Sequence, residues 1–211
     1  MSMTPTRSKR CRSDDAELRA LLLGWWNDHG RHDIPWKRTF SGERPDPDQP
    51  LDPYPIWIAE VMLQQTQLAV MLPYWHRWMS RFPTVIDLAA ASLEEVRLLW
   101  QGLGYYSRAR RLHQAAQQLS VRSWPRDLET WMALPGIGRT TAGSILSSAF
   151  NAPIPILDGN VRRVLARLRA HDRPPSRDQT LFWDWSHELL DPHRPRDFNQ
   201  ALMDLGATLC T

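Results

Sequence analysis

Lysine is nearly missing from this sequence. Of 26 basic residues in a chain of 211, Lys9 and Lys37 are the two lysines and the other 24 are arginine. Beyond residue 38 no lysine occurs, so that part of the chain offers no amine for a Schiff base. The arginine excess has two interpretations, because the planar guanidinium suits phosphate and a GC-rich genome also favours arginine codons. Under both interpretations, catalysis by a lysine amine is excluded for residues beyond 38.

Cysteines and long apolar runs are also few. Cys11 and Cys210 are the two cysteines, which do not make a disulfide framework and fit a reducing compartment. No run of about 18 apolar residues occurs, so the sequence predicts no membrane-spanning helix. The N-terminus lacks the apolar segment and small-residue cleavage site of a secretory signal. We therefore expect a cytoplasmic protein with no membrane partner.

The first 55 residues contain one predicted helix between two irregular segments. Residues 1–13 are polar and basic, and are predicted to be disordered. A helical pattern opens at Asp14 and fades at Gly30. Residues 40–55 hold five prolines, which excludes regular structure and predicts a surface loop.

Helical patterns follow one another from residue 54 onward. Pro55 is suited to begin a helix, and Ser92-Leu-Glu-Glu95 has the form of a capping box. Further helices are predicted over 105–119, 127–134, 139–150, 159–170, 177–190 and 197–209. No alternating strand pattern and no internal repeat occurs, so the predicted fold class is all-α with short polar connections.

A glycine turn separates two of these helices at LPGIG, residues 134–138. Gly136 and Gly138 permit backbone conformations that other residues resist, and a helix opens at Arg139. The unpaired N–H groups and the dipole at a helix start favour an anion such as phosphate. An ordinary glycine C-cap followed by a new helix is the alternative, and a bare G-x-G favours that alternative.

Two carboxylates stand out for opposite reasons. Asp158 lies where a helix begins, which is a common N-cap position, and the helix start should lower its pKa and keep it charged. Glu60 lies among apolar neighbours, and periodicity alone favours a solvent-facing side chain. If Glu60 faces a cleft instead, the apolar surroundings would raise its pKa and let it deliver a proton near neutral pH.

Five motifs in order resemble the MutY family of adenine glycosylases. They are EVMLQQTQ at 60–67, GLGYYSRAR at 102–110, LPGIGRTTAG at 134–143, ILDGNVRRVLAR at 156–167 and FNQALMDLGATLC at 198–210. The third resembles the helix-hairpin-helix of glycosylases related to endonuclease III, here at about 127–150. The resemblance covers about 55–210 and implies two helical lobes with DNA in the cleft between them. Residues 55–152 would form a six-helix barrel lobe, and 14–54 with 153–211 a second, truncated iron–sulfur lobe.

The resemblance also implies a reaction within base excision repair. A monomeric enzyme would act on double-stranded DNA in which adenine is mispaired with 8-oxoguanine or guanine. It would flip the adenine out of the stack and hydrolyse its N-glycosidic bond. Glu60 would protonate adenine at N7 and then help activate water, while Asp158 stays ionised and stabilises the sugar cation.

Further residues receive roles from the same resemblance. Gln65 and Tyr105 would fill the gap left by the flipped base. The other residues expected to bind the substrate are Gln64, Trp36, Thr140, Asn160 and Gln200. The residues expected to bind DNA phosphate are Gly136, Gly138, Arg139 and Thr141. A polar helix face, core packing or helix capping is the alternative for the glutamines, Trp36, Tyr105 and Asn160.

The sequence departs from the family pattern in two places. Thr140 stands where the lyase members carry their Schiff-base lysine, so we expect a monofunctional glycosylase that leaves an abasic site. Cys210 matches the first of four cysteines that hold a 4Fe-4S cluster in the family, and one thiolate cannot hold a cluster that needs four ligands. We therefore expect the cluster not to assemble in this chain, which reads as truncated.

Two other hypotheses compete with this interpretation. The first is that the chain is another endonuclease III-type glycosylase, acting on oxidised pyrimidine or mismatched thymine; the missing lysine argues against the lyase type, and Glu60 within EVMLQQTQ argues for adenine. A DNA-binding module that keeps the hairpin but has lost catalysis is the alternative of a different class.

Overall fold

Regular structure is helical throughout the part of the chain that this computed structural model describes, residues 9–174 and 177–211. No strand occurs among these residues, which confirms the all-α prediction. The expected disorder of residues 1–8 lies outside the described residues. The α-helices are α1 (Lys9–His29), α2 (Pro53–Leu63), α3 (Leu68–Arg81), α4 (Val85–Ala90), α5 (Leu93–Trp100), α6 (Ser107–Leu119), α7 (Leu128–Met132), α8 (Arg139–Phe150), α9 (Gly159–Leu168), α10 (Gln179–Leu189) and α11 (Pro195–Thr208). A short 3₁₀ helix covers Pro35–Lys37. Within the described residues, no helix has both the length and the apolar character needed to cross a membrane.

Two compact units make up the chain. Unit 1 contains Met1–His32 and Pro153–Thr211, and unit 2 contains Asp33–Ala152. The sequence-based division assigned residues 33–54 to the lobe that contains the C-terminus, and the structure places them in unit 2 instead. Two contacts explain the difference: Leu51 N donates to Ala149 O at 2.8 Å, and the Trp36 and Trp75 rings lie 5.2 Å apart.

Helix α1 begins earlier than the sequence predicts. Residues 9–13, which we expected to be disordered, are helical. Asp15 lies inside the helix rather than at its start, is buried, and pairs with Arg169 at 2.9 Å. Because this carboxylate is neutralised by a guanidinium from α9's C-terminal end, it does not mark the helix boundary.

Helix starts in unit 2 show which capping signals operate. Thr84 and Asp87 form a complete capping box at α4 that was not predicted from the sequence. At α5, Ser92 Oγ accepts from Glu95 N at 3.2 Å. The Glu95 carboxylate pairs with Arg81 rather than returning to the cap, so the predicted box is half formed.

Unit 2 is built around buried tryptophans and helix α2. Trp57, Trp78, Trp100 and Trp131 are fully buried, with the Trp57 and Trp131 rings 6.4 Å apart. Residues on every side of α2 are buried, including Ile56, Ile58, Ala59 and Met62. A helix that is apolar all round belongs in a core, so the few polar positions of α2 are exceptions that need partners. Unit 2 has seven α-helices, α2 to α8, one more than the predicted six-helix lobe.

Unit 1 packs α1, α9, α10 and α11 around a separate core. Phe182, Phe198 and Leu165 are fully buried in it. Asp204 of α11 is also fully buried, and accepts from Trp26 Nε1 at 2.9 Å and from Arg31 Nε at 2.6 Å. A buried carboxylate with a charged partner and several donors is satisfied, and this one joins α11 to α1 and to the residues that follow it.

Candidate functional site

The predicted helix-hairpin-helix is present as α7, the turn at 134–138, and α8. Gly136 has a φ of +81°, and a Cβ there would lie 3.0 Å from Arg111 Cβ, so both the backbone and the space favour glycine. Gly138 caps α8, and the first hydrogen bond inside that helix runs from Ala142 N to Gly138 O at 2.9 Å. The N–H groups of the preceding three residues therefore sit at the helix N-terminus, the arrangement that binds anions.

The four residues predicted to bind phosphate divide into two groups. Gly136, Gly138 and Arg139 are exposed at the turn and the start of α8. Thr141 is buried, because the helix turns its side chain towards the interior of unit 2. Thr141 is therefore suited to offer its backbone N–H rather than its hydroxyl.

Glu60 is partly buried on α2, whereas periodicity alone favoured a solvent-facing side chain. Its Oε1 accepts a hydrogen bond from Ser144 Oγ of α8 at 2.8 Å. Ser144 itself is 1% exposed. Glu60 is thus the half-buried carboxyl on an otherwise apolar helix, and a tertiary contact holds it.

Asp158 is the N-cap of α9, as predicted. Its Oδ1 accepts from Val161 N at 2.7 Å, and Asn160 Nδ2 donates to its Oδ2 at 3.4 Å. Burial nevertheless raises the pKa of the Asp158 carboxyl above its ordinary value, and the hydrogen bonds and the nearby Arg163 lower it by less. The prediction that the helix start would lower this pKa is therefore wrong, because desolvation outweighs the cap.

Asn160 acts on Asp158 and is in turn held by Arg163. Arg163 donates to Asn160 Oδ1 at 2.9 Å and to Gly206 O at 2.5 Å. A Cβ at Gly206 would lie 2.6 Å from Asn160 Cβ, so α9 and α11 approach closely there. Asn160 thus helps to fix the Asp158 carboxylate, and Arg163 is a supporting residue that was not predicted from the sequence.

A rare backbone conformation is shared by Gln65 and Tyr105, the two residues expected to fill the space that the flipped base leaves in the DNA. Gln65 has φ of 62° and Tyr105 has φ of 46°, and neither is glycine. Both side chains are exposed, Tyr105 to 64%. Left-handed backbone at bulky residues costs about 1–3 kcal/mol and is concentrated at functional sites, which marks both loops as held in place by their surroundings.

Arg108 holds both of these loops and was not identified from the sequence. It is buried, and its Nη1 donates to Val61 O at 3.0 Å and Gln64 O at 2.6 Å, while Nη2 donates to Leu103 O at 3.1 Å. Its guanidinium also lies 5.3 Å from the centre of the Tyr105 ring. One side chain therefore ties the end of α2 to the loop before α6. The signal was available, since this arginine lies in the motif GLGYYSRAR.

The remaining expected substrate contacts lie in both units. Trp36 is buried against Trp75, so packing accounts for its position within unit 2. Gln64 is half-buried and offers its carbonyl to Arg108, and Thr140 is half-buried in the first turn of α8. Gln200 is buried in α11 of unit 1. The two catalytic candidates divide in the same way, with Glu60 in unit 2 and Asp158 in unit 1.

Cys210 follows α11 and is half-buried. Arg167 Nη1 lies 3.1 Å from its Sγ, and Arg163 Nε donates to its carbonyl oxygen at 2.6 Å. Among the described side chains, no three His, Cys, Asp or Glu residues group closely enough to hold a metal ion. A 4Fe-4S cluster takes four ligands, so the described residues do not by themselves fit one.

A sequence model of the family described as HhH-GPD superfamily base excision DNA repair protein matches residues 58–185. This span includes Glu60, the hairpin and Asp158. The chain belongs to the HhH-GPD superfamily of base excision DNA repair proteins.

Within that superfamily the sequence is of the MutY type, as the motifs indicated. It is 46% identical over 217 residues to the adenine DNA glycosylase of Rattus norvegicus, covering 99% of this chain and 41% of the relative. The corresponding values for Homo sapiens are 48% over 202 residues, with 92% and 36% covered. For Buchnera aphidicola they are 36% over 192 residues, with 90% and 52% covered. The chain thus spans about a third to a half of the length of these relatives.

Solved structures of related proteins share the fold. A thermostable thymine-DNA glycosylase superposes with a TM-score of 0.80 at 23% identity, covering 95% of this chain and 89% of that one. An endonuclease III in a non-covalent DNA complex gives 0.71 at 22% identity, covering 95% and 87%. At these identities the likeness describes the fold.

Proposed function

We propose that this chain is the catalytic part of a monofunctional adenine DNA glycosylase. Its substrate would be duplex DNA in which adenine lies opposite 8-oxoguanine or guanine. The observation that carries the proposal is the half-buried carboxyl of Glu60, which lies on the apolar helix α2 and accepts a hydrogen bond from Ser144 of α8. The chain that contains it is 46–48% identical to mammalian adenine glycosylases. A carboxyl in such surroundings is suited to proton delivery.

The proposed reaction begins with a proton. Glu60 gives its proton to N7 of the flipped adenine, which makes the base a better leaving group. The C1′–N9 bond then breaks, its electron pair leaves with the adenine, and the sugar becomes an oxocarbenium ion. Glu60, now a carboxylate, takes a proton from water as the water oxygen bonds to C1′. The products are free adenine and an abasic site.

Asp158 stabilises the cation in this sequence of steps. Its ionised form places a negative charge near the sugar, and the N–H of Val161 together with Asn160 fixes the carboxylate. Because burial raises its pKa, the negative charge is poorly solvated and interacts strongly with a nearby cation. Ionisation of Asp158 and protonation of Glu60 are both required, which is the division of labour expected of two carboxylates.

DNA binding is assigned to the hairpin and to the two strained loops. The start of α8 would hold a phosphate, and Gln65 and Tyr105 would occupy the space that the adenine leaves. The solved neighbours include an endonuclease III bound to DNA, which supports DNA as the partner. Thr140 carries no amine, so cleavage of the sugar–phosphate backbone through a Schiff base is not part of the proposal.

The test is base release from defined duplexes. A duplex with adenine opposite 8-oxoguanine should give alkali-labile sites on the adenine strand, and no strand break before alkali. Two matched duplexes serve as controls, one with thymine opposite guanine and one with an oxidised pyrimidine. Release from either control in preference to adenine would replace this proposal with another superfamily activity. Tight binding without release from any duplex would identify a DNA-binding module.

A further inference from the structure

Helix α8 contains three buried serines, and the hydroxyls of two of them, Ser144 and Ser147, make different kinds of contact. Ser144, Ser147 and Ser148 are 1%, 1% and 6% exposed. Ser147 Oγ donates to the backbone carbonyl of Ser144 at 3.3 Å, the local bond that serine usually makes within a helix. Ser144 Oγ instead donates across to Glu60 Oε1 at 2.8 Å. The Ser144 hydroxyl is thus committed to the candidate acid, whereas the Ser147 hydroxyl is bonded within its own helix.

The hydrogen bond between Ser144 and Glu60 is held in place by the buried helix that carries Ser144. Ser144 lies in the second turn of α8 and one turn beyond Thr140, so both lie on the same side of the helix. Its Cβ is fixed by a buried helix, and a hydroxyl has one hydrogen to donate. A donor so constrained selects one orientation of the carboxyl that it faces.

We propose that Ser144 is a positioning residue that orients the Glu60 carboxyl so that Oε2 is the oxygen that carries and delivers the proton. This inference rests on the proposed glycosylase function. In the ionised carboxyl, Oε1 accepts from Ser144. In the protonated carboxyl, the same bond persists only if the proton sits on Oε2, because a proton on Oε1 would compete with the serine hydrogen. The acid therefore presents one defined O–H.

The hydrogen bond also affects when Glu60 gives up its proton. A donor aimed at a carboxylate favours the charged form. Loss of the Ser144 hydroxyl should therefore shift the titration midpoint of Glu60 to higher pH. Since the reaction needs protonated Glu60, the fall in rate on the alkaline side should move to higher pH as well, even while the maximal rate drops through loss of orientation.

The test compares Ser144→Ala with Ser147→Ala, a matched removal of a buried hydroxyl one turn further along. We expect Ser144→Ala to lower the maximal single-turnover rate of adenine release by about three- to tenfold, the effect of one hydrogen bond. In the plot of its rate against pH, the fall in rate on the alkaline side should move to higher pH by about one pH unit. Ser147→Ala should stay within about twofold of the unmodified chain, and its alkaline fall in rate should not move. Superposable pH profiles for Ser144→Ala and the unmodified chain would overturn the proposal, as would an equal shift in Ser147→Ala.

A second readout does not depend on catalysis. The chain has seven glutamates, so carbon-13 labelling of their carboxyls gives few signals, and Glu60→Gln identifies the one from Glu60. That signal should titrate at higher pH in Ser144→Ala and be unchanged in Ser147→Ala. If the unmodified chain releases no adenine, the glycosylase proposal fails while this titration still decides the Ser144 contact. A moved titration with an unmoved rate profile would deny Ser144 a part in proton delivery.

Discussion

The two candidate catalytic carboxylates are placed by different devices. Asp158 is held by its own helix, since its closest donors, Val161 and Asn160, lie within three residues of it. Glu60 is held by Ser144, which lies 84 residues further along the chain. Local geometry therefore defines one carboxylate, and tertiary structure defines the other. Local sequence therefore predicts the placement of Asp158, whereas the placement of Glu60 requires the folded structure.

A third carboxylate, Asp127, caps a helix with the same geometry as Asp158 but in an exposed position. Asp127 caps α7 with the same 2.7 Å bond from a backbone N–H, here that of Thr130, as Asp158 accepts from Val161. The hydrogen bonds from Thr130 lower the pKa of exposed Asp127, whereas burial raises the pKa of Asp158. Equal capping geometry thus gives opposite pKa shifts, and burial is what separates the Asp158 cap from the Asp127 cap.

The largest effect is expected from removing the acid. Glu60→Gln keeps the size of the side chain and a polar partner for Ser144 but cannot deliver the proton. We expect base release to fall by at least about 10³-fold, measured in single-turnover assays, while duplex binding persists. Glu94→Gln, at an exposed glutamate of α5, is the control and should leave the rate unchanged. Near-normal release by Glu60→Gln would remove Glu60 from the acid role.

Removal of the other charge tests whether Asp158 is more than a cap. Asparagine caps helices as well as aspartate does, so Asp158→Asn should keep α9 intact while removing the negative charge. We expect a loss of about 10²-fold or more in the rate of base release. Asp127→Asn makes the same change at the exposed cap and should have no effect on that rate. Similar, mild effects of the two substitutions would make Asp158 an ordinary cap.

The same contrast explains what the sequence can predict. The all-α fold, the hairpin and the Asp158 cap follow from patterns within about ten residues, and all are present. The hydrogen bonds from Ser144 to Glu60 and from Arg108 to three carbonyls depend on long-range packing, which hydrophobic periodicity does not predict. The raised pKa of Asp158 was missed for the same reason, because desolvation depends on the whole fold. The α1 start was missed because Asp15 pairs with a distant arginine.

A third prediction concerns the dependence of the Glu60 region on tertiary contacts. Arg108 binds the carbonyls of Val61 and Gln64, at the end of the helix that carries Glu60. Lysine cannot reach three carbonyls with one compact ammonium, so Arg108→Lys should release both strained loops. We expect base release to fall about tenfold. The fluorescence of 2-aminopurine in place of the target adenine should report weaker base flipping. Arg110→Lys, an exposed neighbour on α6, should change neither measurement. Unchanged base flipping in Arg108→Lys would show that the loops of Gln65 and Tyr105 keep their conformation without the arginine.

The smallest effect is on stability, and it should have opposite signs at the two caps. Because the pKa of Asp158 is raised on folding, the folded chain binds the proton more tightly than the unfolded chain. Stability therefore falls as pH rises from the unfolded pKa to the folded one, and stays reduced above it. Asp158→Asn removes that cost, so its melting temperature near pH 7 should exceed that of the unmodified chain by about 2–4 °C, which corresponds to about 1 kcal/mol.

Asp127→Asn should behave in the opposite way. The folded pKa of Asp127 is lowered, so its charge adds stability at neutral pH that is lost as pH falls through the folded value. The substitution should leave the melting temperature equal or slightly lower near pH 7. Calorimetric scans at pH 7 and at about pH 3 distinguish the two caps, because the gain in Asp158→Asn should shrink at the lower pH. If the rise in melting temperature of Asp158→Asn were as large at low pH as at pH 7, asparagine would simply be the better cap of α9. Burial of the Asp158 charge would then not destabilise the fold.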